Sequence, residues 1–279
     1  MTERDIITAA YNAGVDEEYN RLISSPLFEA EFDLITNCIE KYLSTGAVVI
    51  DIGAGPGRYA EFLLQKKCHV GLVDLSEKSL EAFNLRIDET LSEKVLFTQT
   101  ACATDLGFIG NEVADAVLLM GPLYHLTQNI DRQKALSEAC RILKNGGYLF
   151  AIFMSTFDHH THHHCTKCNG FSDSFEGLLK DAVTVVNFQG YDVPQYRCLP
   201  EVAVHTTEPL GFGTISMFNI EGLGIHYSEK DLLKFTGEEA KQALFQTLRK
   251  NCESPEMTGI AKQFLYVGKK INQKNQPRI

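Results

Sequence analysis

The residues best suited to binding a metal lie in one short stretch, FDHHTHHHCTKCNG, at residues 157–170. It holds five of the nine histidines and two of the eight cysteines of the chain. Imidazole nitrogens and thiolates are the usual ligands of tetrahedral Zn²⁺. The candidate ligands in this stretch are His160, His163, His164, Cys165 and Cys168.

Two other interpretations of this stretch stay open. A structural zinc site usually takes its second pair of ligands from further along the chain, where Cys198 and His205 are available. A polar loop with only adventitious metal affinity has the same composition. Thiols such as those of Cys165 and Cys168 also suit a soft substrate, for example a metalloid, although no other residue in the sequence supports that idea.

A second stretch with chemical potential is IDIGAGPGRY, at residues 50–59. Three glycines spaced by single residues follow a β-branched run, and the next segment has helical character. Such a turn lets the backbone approach a ligand closely while the helix N–H groups point at it. A dinucleotide fingerprint would need a small residue where Arg58 stands, so the spacing argues against a nicotinamide site.

The elements that must position these stretches alternate between strand and helix from residue 47 to residue 154. Apolar, β-branched runs predict strands at 47–53, 69–76, 95–102, 115–121 and 148–154. Helical periodicity lies between them at 58–67, 77–92 and 129–144. This alternation predicts an α/β fold with a doubly wound, mostly parallel sheet.

The regions on either side of this core have weaker patterns. Residues 1–35 predict helices with a break at Ser25 and Pro26, and a second helix fits 29–43. Residues 155–204 show little periodicity, whereas 214–222 and 263–270 predict two closing strands around a helix at 228–251. The sheet is therefore predicted to have seven strands.

The composition narrows the classes of partner. Twenty-six Lys and Arg residues against 36 Asp and Glu residues give a net charge of −10. Such a surface repels phosphate backbones, so nucleic acid is not expected as the main partner. The chain starts with the charged residues MTERD and contains no apolar run long enough for a membrane span, which predicts a cytoplasmic protein without a signal peptide. The oligomeric state is left open.

Four motifs, in order, resemble those of the class I S-adenosylmethionine-dependent methyltransferases. The first is the acid Asp51 followed by x-G-x-G-x-G. The second is LVDLS, which places Asp74 and Leu75 at the end of the second strand. The third and fourth are ACATDL at 101–106 and LLMGPLYHL at 118–126. Beyond these four, LKNGGYLF at 143–150 also matches the family's turn into strand five. The resemblance covers residues 36–154 well and the closing strands loosely.

The resemblance implies S-adenosylmethionine as the cofactor and assigns roles to particular residues. The Asp74 carboxylate would accept hydrogen bonds from the ribose hydroxyls, and Asp51 would help to hold the methionine end. The expected cofactor contacts are Tyr19, Asp51, Gly53, Ala54, Gly55, Gly57, Arg58, Asp74, Leu75, Cys102, Ala103 and Met120. Tyr11, Glu18 and Arg21 would help to cap the cofactor from the N-terminal segment.

The resemblance also places Tyr124 and His125 where the methyl group is transferred. A histidine there is either a general base, with an ordinary pKa near 6.5, or a hydrogen-bonded structural residue. The sequence departs from the family at Cys102, where an aspartate often contacts adenine; Asp105 or a backbone carbonyl would then substitute. A second departure is the short TTEPLGFGTISMF segment, which leaves little room for a helix before the sixth strand.

The expected organisation has four parts. Residues 1–35 form a helical cap, 36–154 the cofactor-binding core, 155–204 an inserted lid after strand five, and 205–279 the C-terminal part of the core. The expected activity is methyl transfer to a small molecule. Transfer to RNA or protein is one alternative, and a non-catalytic metal- or cofactor-sensing protein on the same scaffold is another.

Overall fold

The computed structural model describes residues 1–156, 182–220, 237–258 and 261–271. Within these residues, nine strands form one sheet. The strands are β1 (Val48–Ile52), β2 (His69–Asp74), β3 (Val95–Thr100), β4 (Ala114–Leu119), β5 (Leu143–Ser155), β6 (Ala182–Phe188), β7 (Tyr191–Cys198), β8 (Phe212–Asn219) and β9 (Gln263–Lys270).

The described helices flank this sheet. They are α1 (Glu3–Ala13), α2 (Val15–Arg21), α3 (Pro26–Glu40), α4 (Arg58–Gln65), α5 (Glu77–Arg86), α6 (Glu89–Ser92), α7 (Pro122–His125), α8 (Asn129–Ile142), α9 (Pro200–Thr207), α10 (Glu238–Asn251) and α11 (Pro255–Thr258). None of them is long and apolar enough to cross a membrane.

The predicted doubly wound, mostly parallel sheet is confirmed, but the sheet has nine strands because β6 and β7 join the seven that the sequence predicts. Strands β3, β2, β1, β4 and β5 are neighbours in that order and run parallel. Strand β9 pairs with β5 in antiparallel orientation, and β8 pairs with β9. Because the central strands are parallel, their carboxyl ends meet at one edge, where ligands bind in such sheets.

Both faces of the sheet are buried, which explains the continuous apolar runs in the sequence. Helices α3, α4 and α5 cover one face, with Leu34, Leu63 and Phe83 in the core. Helices α8 and α9 cover the other face, with Leu136 and Ala203. The packed sheet provides a rigid edge on which the loops after β1, β2 and β4 are held.

The N-terminal helices start where the sequence places their caps. Thr2 and Asp5 form a capping box at α1, and the Ser25 side chain accepts a hydrogen bond from the backbone N–H of Phe28 at the start of α3. Helix α3 runs without interruption from Pro26 to Glu40, so the predicted boundary of the cap at residue 35 falls inside it. Of the predicted cap, α1 and α2 lie over the carboxyl edge of the sheet.

A β-hairpin follows strand five, in a region where the sequence predicts no strand. Strand β7 pairs with the end of β5 through Met154–Arg197 and Ser155–Cys198, and β6 pairs with β7. In β6 the polar Thr184 points inward while Val183 and Val185 are exposed, which reverses the usual alternation. Pro194 lies inside β7 and also weakens the strand pattern.

The region before the sixth predicted strand also differs from expectation. Helix α9 and a short 3₁₀ turn at Glu208–Leu210 occupy it, within and just after the predicted lid. Ala203 of α9 is fully buried in the core, so this part of 155–204 packs as core. The remaining extent of the lid stays a prediction, because residues 157–181 lie outside the described part of the chain.

Candidate active site

A cavity of about 400 Å³ lies at the carboxyl edge of the sheet, beneath α1 and α2. The loops after β1, β2, β3 and β4 form its floor and sides. Its volume is near the lower end of the roughly 300–1,000 Å³ typical of small-molecule sites. Of the predicted cofactor contacts, nine line it: Gly53, Ala54, Gly55, Arg58, Asp74, Leu75, Cys102, Ala103 and Met120.

The glycine turn is shaped by hydrogen bonds to the neighbouring strand. The Gly53 N–H donates to the carbonyl oxygen of Val73 at 2.7 Å, and the Gly55 N–H donates to Asp74 Oδ2 at 2.7 Å. Gly55 has a positive φ of +53°, and a Cβ there would point into open space, with Glu18 Cγ as its nearest neighbour at 3.9 Å. The space that a side chain at Gly55 would occupy is therefore part of the cavity.

Gly57 has a different purpose from Gly55. Its φ is +86°, and a Cβ would come within 2.2 Å of the Phe83 ring. It is the N-cap of α4 and does not line the cavity. Gly57 thus allows close packing between α4 and α5, which supports the turn from behind.

Asp74 orders the glycine turn and faces the cavity. Its Oδ1 accepts a hydrogen bond from the Ser76 N–H at 2.7 Å, while its Oδ2 accepts the bond from Gly55. Burial raises its pKa, although these backbone N–H groups partly oppose the shift. Each carboxylate oxygen keeps a further lone pair, so Asp74 can still accept two hydroxyl hydrogen bonds.

Asp51, a predicted cofactor contact, lies behind the turn, does not line the cavity and is only 1% exposed. Its Oδ2 makes no hydrogen bond with any described residue. Burial, with a smaller contribution from Asp74, raises its pKa to about 7. A buried carboxylate oxygen without a donor is costly, and a positively charged group in the cavity would relieve that cost.

The end of the cavity near β3 contains Leu75, Cys102 and Ala103, as predicted. Cys102 Sγ accepts a hydrogen bond from the Thr104 hydroxyl at 3.1 Å. Asp105 is exposed and does not line the cavity, so it does not replace the aspartate that the family often has here. Asp131 on α8, which sequence reasoning missed, adds a carboxylate to the cavity lining.

His125 is buried and both of its ring nitrogens have partners. Nε2 lies 2.8 Å from the Tyr11 hydroxyl, and Nδ1 lies 3.3 Å from the Pro194 carbonyl oxygen. Nδ1–H therefore donates to Pro194 and Nε2 accepts from Tyr11, because a carbonyl can only accept. Burial lowers the His125 pKa to about 4, so the ring is neutral at physiological pH.

Tyr124 also lines the cavity, and burial raises its phenol pKa. Its ring packs against His125 at a centroid distance of 4.5 Å. Since His125 is hydrogen-bonded on both sides and Tyr124 keeps its proton, neither is a free base in this arrangement. His125 instead connects α1, α7 and the β6–β7 hairpin.

The polar end of the cavity is built by residues from α2, α3 and β9. Arg21 bridges Glu18 at 3.1 Å and Glu31 at 3.0 Å, and the Gln263 amide donates to the other Glu31 oxygen at 3.0 Å. Sequence reasoning named Glu18 and Arg21 but missed Glu31 and Gln263. The available signal was an acid at Glu31 on the apolar side of a helix.

Tyr19 lies outside the cavity lining. Its ring is sandwiched between the guanidinium groups of Arg58 at 3.8 Å and Arg86 at 3.5 Å, and its hydroxyl donates to Glu61 at 2.9 Å. Arg58 also donates to the Tyr19 carbonyl oxygen. These contacts fasten α2 to the start of α4, so the structure places Tyr19 where it supports the cap from outside.

These residues fit the ribose and the amino-acid end of S-adenosylmethionine. Asp74 has the acceptors for a ribose diol, and the space beside Gly55 admits a ligand close to the backbone. Arg21 and Glu18 present opposite charges suited to the carboxylate and ammonium of an amino acid. The unpartnered oxygen of Asp51 favours positive charge nearby.

The predicted metal ligands His163, His164, Cys165 and Cys168 lie outside the described residues. Across the parts of the chain that are described, no group of three or more His, Cys, Asp or Glu side chains is arranged to hold a metal ion. The two other candidate partners, Cys198 and His205, are described. Cys198 is buried at the end of β7, and zinc binding stays a prediction.

Comparison with known proteins supports the same class. Residues 49–147 match the family model for the methyltransferase domain. The chain matches no curated protein at the level of sequence. The resemblance inferred from the four motifs is thus confirmed for the part of the chain that contains them.

Solved structures extend the likeness to nearly the whole fold. A Haloferax volcanii protein in complex with the Trm112 methyltransferase activator has a TM-score of 0.60 at 15% identity, covering 94% of this chain and 98% of its own. An S-adenosylmethionine-dependent methyltransferase from Methanosarcina mazei has a TM-score of 0.57 at 13% identity, with 85% and 98% covered.

A third similar structure contains the demethylated cofactor. It is the 1,6-didemethyltoxoflavin-N1-methyltransferase of Burkholderia thailandensis with its substrate and S-adenosylhomocysteine, at a TM-score of 0.55 and 12% identity, with 96% and 88% covered. Residues 49–147 therefore match a methyltransferase domain, and the chain as a whole has the fold of these methyltransferases.

Proposed function

We propose that this protein is an enzyme that transfers a methyl group from S-adenosylmethionine to a small molecule. The observation that carries the proposal is the joint position of Gly55 and Asp74. The Gly55 side-chain position opens into the cavity, and Asp74 holds the turn while facing the same cavity. When bound, S-adenosylmethionine supplies a methyl group on a positively charged sulfur that leaves as a neutral thioether.

The protein's own contribution is binding, alignment and exclusion of water. Asp74 would bind the ribose hydroxyls, and Arg21 with Glu18 would hold the two charged groups of the amino-acid end. Helices α1 and α2 cover the cavity and keep solvent from the reacting atoms. Alignment of an already activated donor accounts for much of the rate enhancement that such a site needs.

A small acceptor is favoured over RNA or protein for two reasons. The cavity is enclosed by α1 and α2, and its volume leaves little room beside a bound cofactor. The net charge of −10 disfavours nucleic acid.

A cytoplasmic location is proposed on the sequence features alone.

Asp74→Asn tests the position of the cofactor. We expect it to weaken S-adenosylhomocysteine binding by about 1.5–3 kcal/mol, the scale of hydrogen bonds to a charged acceptor. Isothermal titration calorimetry measures this loss. Asp115→Asn is a matched control, because Asp115 also accepts from a backbone N–H, that of Val48, but lies away from the cavity. Equal affinity in Asp74→Asn and the parent would show that Asp74 does not bind the cofactor.

His125 is proposed to be a positioning residue that holds the cap. In ¹⁵N-histidine NMR spectra recorded from pH 5 to 8, we expect His125 to stay in the neutral Nδ1–H tautomer, because burial lowers its pKa to about 4. Tyr11→Phe should lower the free energy of unfolding by about 0.5–1.5 kcal/mol through loss of one hydrogen bond.

The control for that substitution is Tyr42→Phe. Tyr42 packs against Tyr148 at a centroid distance of 5.0 Å and does not line the cavity. A His125 titration with a midpoint between pH 6 and 7 would contradict the positioning role and restore the general-base interpretation.

A further inference from the structure

One part of the cavity is not accounted for by the cofactor. It lies at the ends of β5 and β9, on the side of β4 opposite to Asp74, and we name it the Glu31 subsite. Its lining residues are Leu22, Glu31, Tyr59, Ile152 and Gln263. Ile152 and Gln263 lie on strands beyond β4. Tyr124 is near enough for the charge of Glu31 to affect its pKa, so this subsite adjoins the loop after β4.

Glu31 is built firmly into this subsite. It is 1% exposed, and its two oxygens accept hydrogen bonds from Arg21 and Gln263, both at 3.0 Å. These partners come from different elements, α2 and β9. A buried acid fixed from two sides and lining a cavity is oriented for a ligand, because an acid needed only for packing would be costly to bury.

Tyr59 supplies the second, independent observation. The residue is 9% exposed, and its hydroxyl is buried without a hydrogen bond to any described residue. Its phenol is close enough to Glu31, Arg21, Glu18 and Asp51 for their charges to affect its pKa, which burial raises well above the ordinary value. A hydroxyl left without a partner at such a place indicates a missing polar ligand.

The charge of this end of the cavity indicates the kind of ligand. Two carboxylates, Glu18 and Glu31, pair with Arg21. When Glu18 and Arg21 bind the ammonium and carboxylate of the cofactor, those four charges balance one another, and the negative charge of Glu31 is left over. The excess negative charge opposes an anionic acceptor such as a phenolate or carboxylate. It stabilises a positive charge both on the sulfur before transfer and on the acceptor after transfer.

The state of the neighbouring side chains further limits the accepting atom. Among the described residues at the β4 end, His125 is hydrogen-bonded through both nitrogens, and Tyr11 and Tyr124 have raised pKa values. A hydroxyl acceptor would need a base there. An amine nitrogen already has a lone pair in its neutral form, so it needs none during the transfer.

We infer that the Glu31 subsite binds the methyl acceptor and that the acceptor is a small amine methylated on nitrogen. This inference rests on the proposed methyltransferase activity. The nitrogen lone pair forms the new bond to the methyl carbon while the carbon–sulfur bond breaks and its electron pair stays on sulfur. The nitrogen becomes positively charged and then releases a proton to water.

The test compares amines with alcohols of the same shape. Propylamine and benzylamine are paired with propanol and benzyl alcohol, and phenol and propionate are added as anionic probes. Two readouts are used: binding of each probe to the complex with S-adenosylhomocysteine by saturation-transfer NMR, and formation of S-adenosylhomocysteine from S-adenosylmethionine at pH 8.5. We expect at least one amine to exceed its alcohol by about tenfold or more in both.

Variants connect that preference to the subsite. Glu31→Gln should reduce the amine's kcat/KM about tenfold or more, and Tyr59→Phe should raise its KM several-fold. Tyr59→Phe should keep the affinity for S-adenosylhomocysteine within about twofold, because it leaves the pairing of Glu31 with Arg21 in place. Glu29→Gln is the matched control, because Glu29 lies on the same helix but pairs with Lys241 outside the cavity. If Glu31→Gln is too unstable to assay, Tyr59→Phe alone tests whether the subsite binds the amine.

The outcomes separate this inference from the proposed activity. If the parent protein does not bind S-adenosylhomocysteine, the proposed activity itself fails. If it binds S-adenosylhomocysteine but no amine exceeds its matched alcohol, or the amine preference survives in Tyr59→Phe and Glu31→Gln, the inference about the acceptor is overturned.

Discussion

Replacement of Gly55 by valine is expected to abolish cofactor binding while the protein stays folded. A Cβ at this position points into the cavity, with no atom nearer than Glu18 Cγ at 3.9 Å. The branched side chain would therefore occupy the space of the ligand without displacing protein atoms. We expect the affinity for S-adenosylhomocysteine to fall about 100-fold or more in calorimetry, which corresponds to about 3 kcal/mol.

The control for Gly55→Val separates the filled cavity from the strained backbone. Gly55 has a positive φ, which costs a residue with a Cβ about 1–2 kcal/mol. Gly46 has a φ of +83° and no atom within 4 Å of its Cβ position, and it lies away from the cavity. Gly46→Val should therefore lose similar stability but keep its affinity. Unchanged affinity in Gly55→Val would show that the ligand does not lie against the turn.

Asp51→Asn is expected to stabilise the protein at neutral and alkaline pH. Burial raises the Asp51 pKa from 3.8 to about 7, so the folded state holds this proton more tightly than the unfolded state. The stability contributed by Asp51 is thus fully present below pH 4 and is lost as the pH rises towards 7. A shift of this size corresponds to at most about 4 kcal/mol.

Asparagine does not titrate, so the substitution removes this loss. We expect a gain in unfolding free energy on the order of 1–3 kcal/mol at pH 8, part of the maximum being offset by the unpartnered amide. The gain should disappear near pH 4. Urea unfolding at both pH values measures it. Affinity for S-adenosylhomocysteine should fall at the same time, because the carboxylate would favour the ligand's ammonium group.

Asp115→Asn is a control in which the pH dependence of stability has the opposite sign. The Asp115 pKa is lowered by hydrogen bonds from Lys144 and the Val48 backbone, against the effect of burial. Its contribution to stability is therefore present above the ordinary pKa and is lost as the pH falls. If Asp51→Asn lost stability at pH 8, as Asp115→Asn is expected to do, this would contradict the conclusion that the buried Asp51 carboxylate lacks a hydrogen-bond donor.

The central sheet was predictable from sequence because its strands are buried on both faces. Runs such as VVIDI have no polar side to obscure them, and the glycine turn fixed the point where the first strand ends. The β6–β7 hairpin was not predictable in this way. In β6 the polar Thr184 faces inward, while Val183 and Val185 face outward. In β7 Pro194 interrupts the strand pattern.

The candidate site was predictable where function depends on local chain geometry. Gly55 and Asp74 follow their strands directly, so the order of the strands brings them together. Glu31 and Gln263 are 232 residues apart in sequence, and only the folded chain shows that they meet. The pairing of His125 with Tyr11 is equally non-local, and it changes the interpretation of a residue that the motif alone marks as a candidate base.

The most direct test of the account is a calorimetric titration of the tag-free, metal-analysed parent protein with S-adenosylhomocysteine, run beside Gly55→Val. The account predicts one site per chain with a micromolar-range dissociation constant in the parent and no measurable binding in the variant. No heat and no thermal shift in the parent, with the fold intact, would contradict the assignment of this cavity to S-adenosylmethionine.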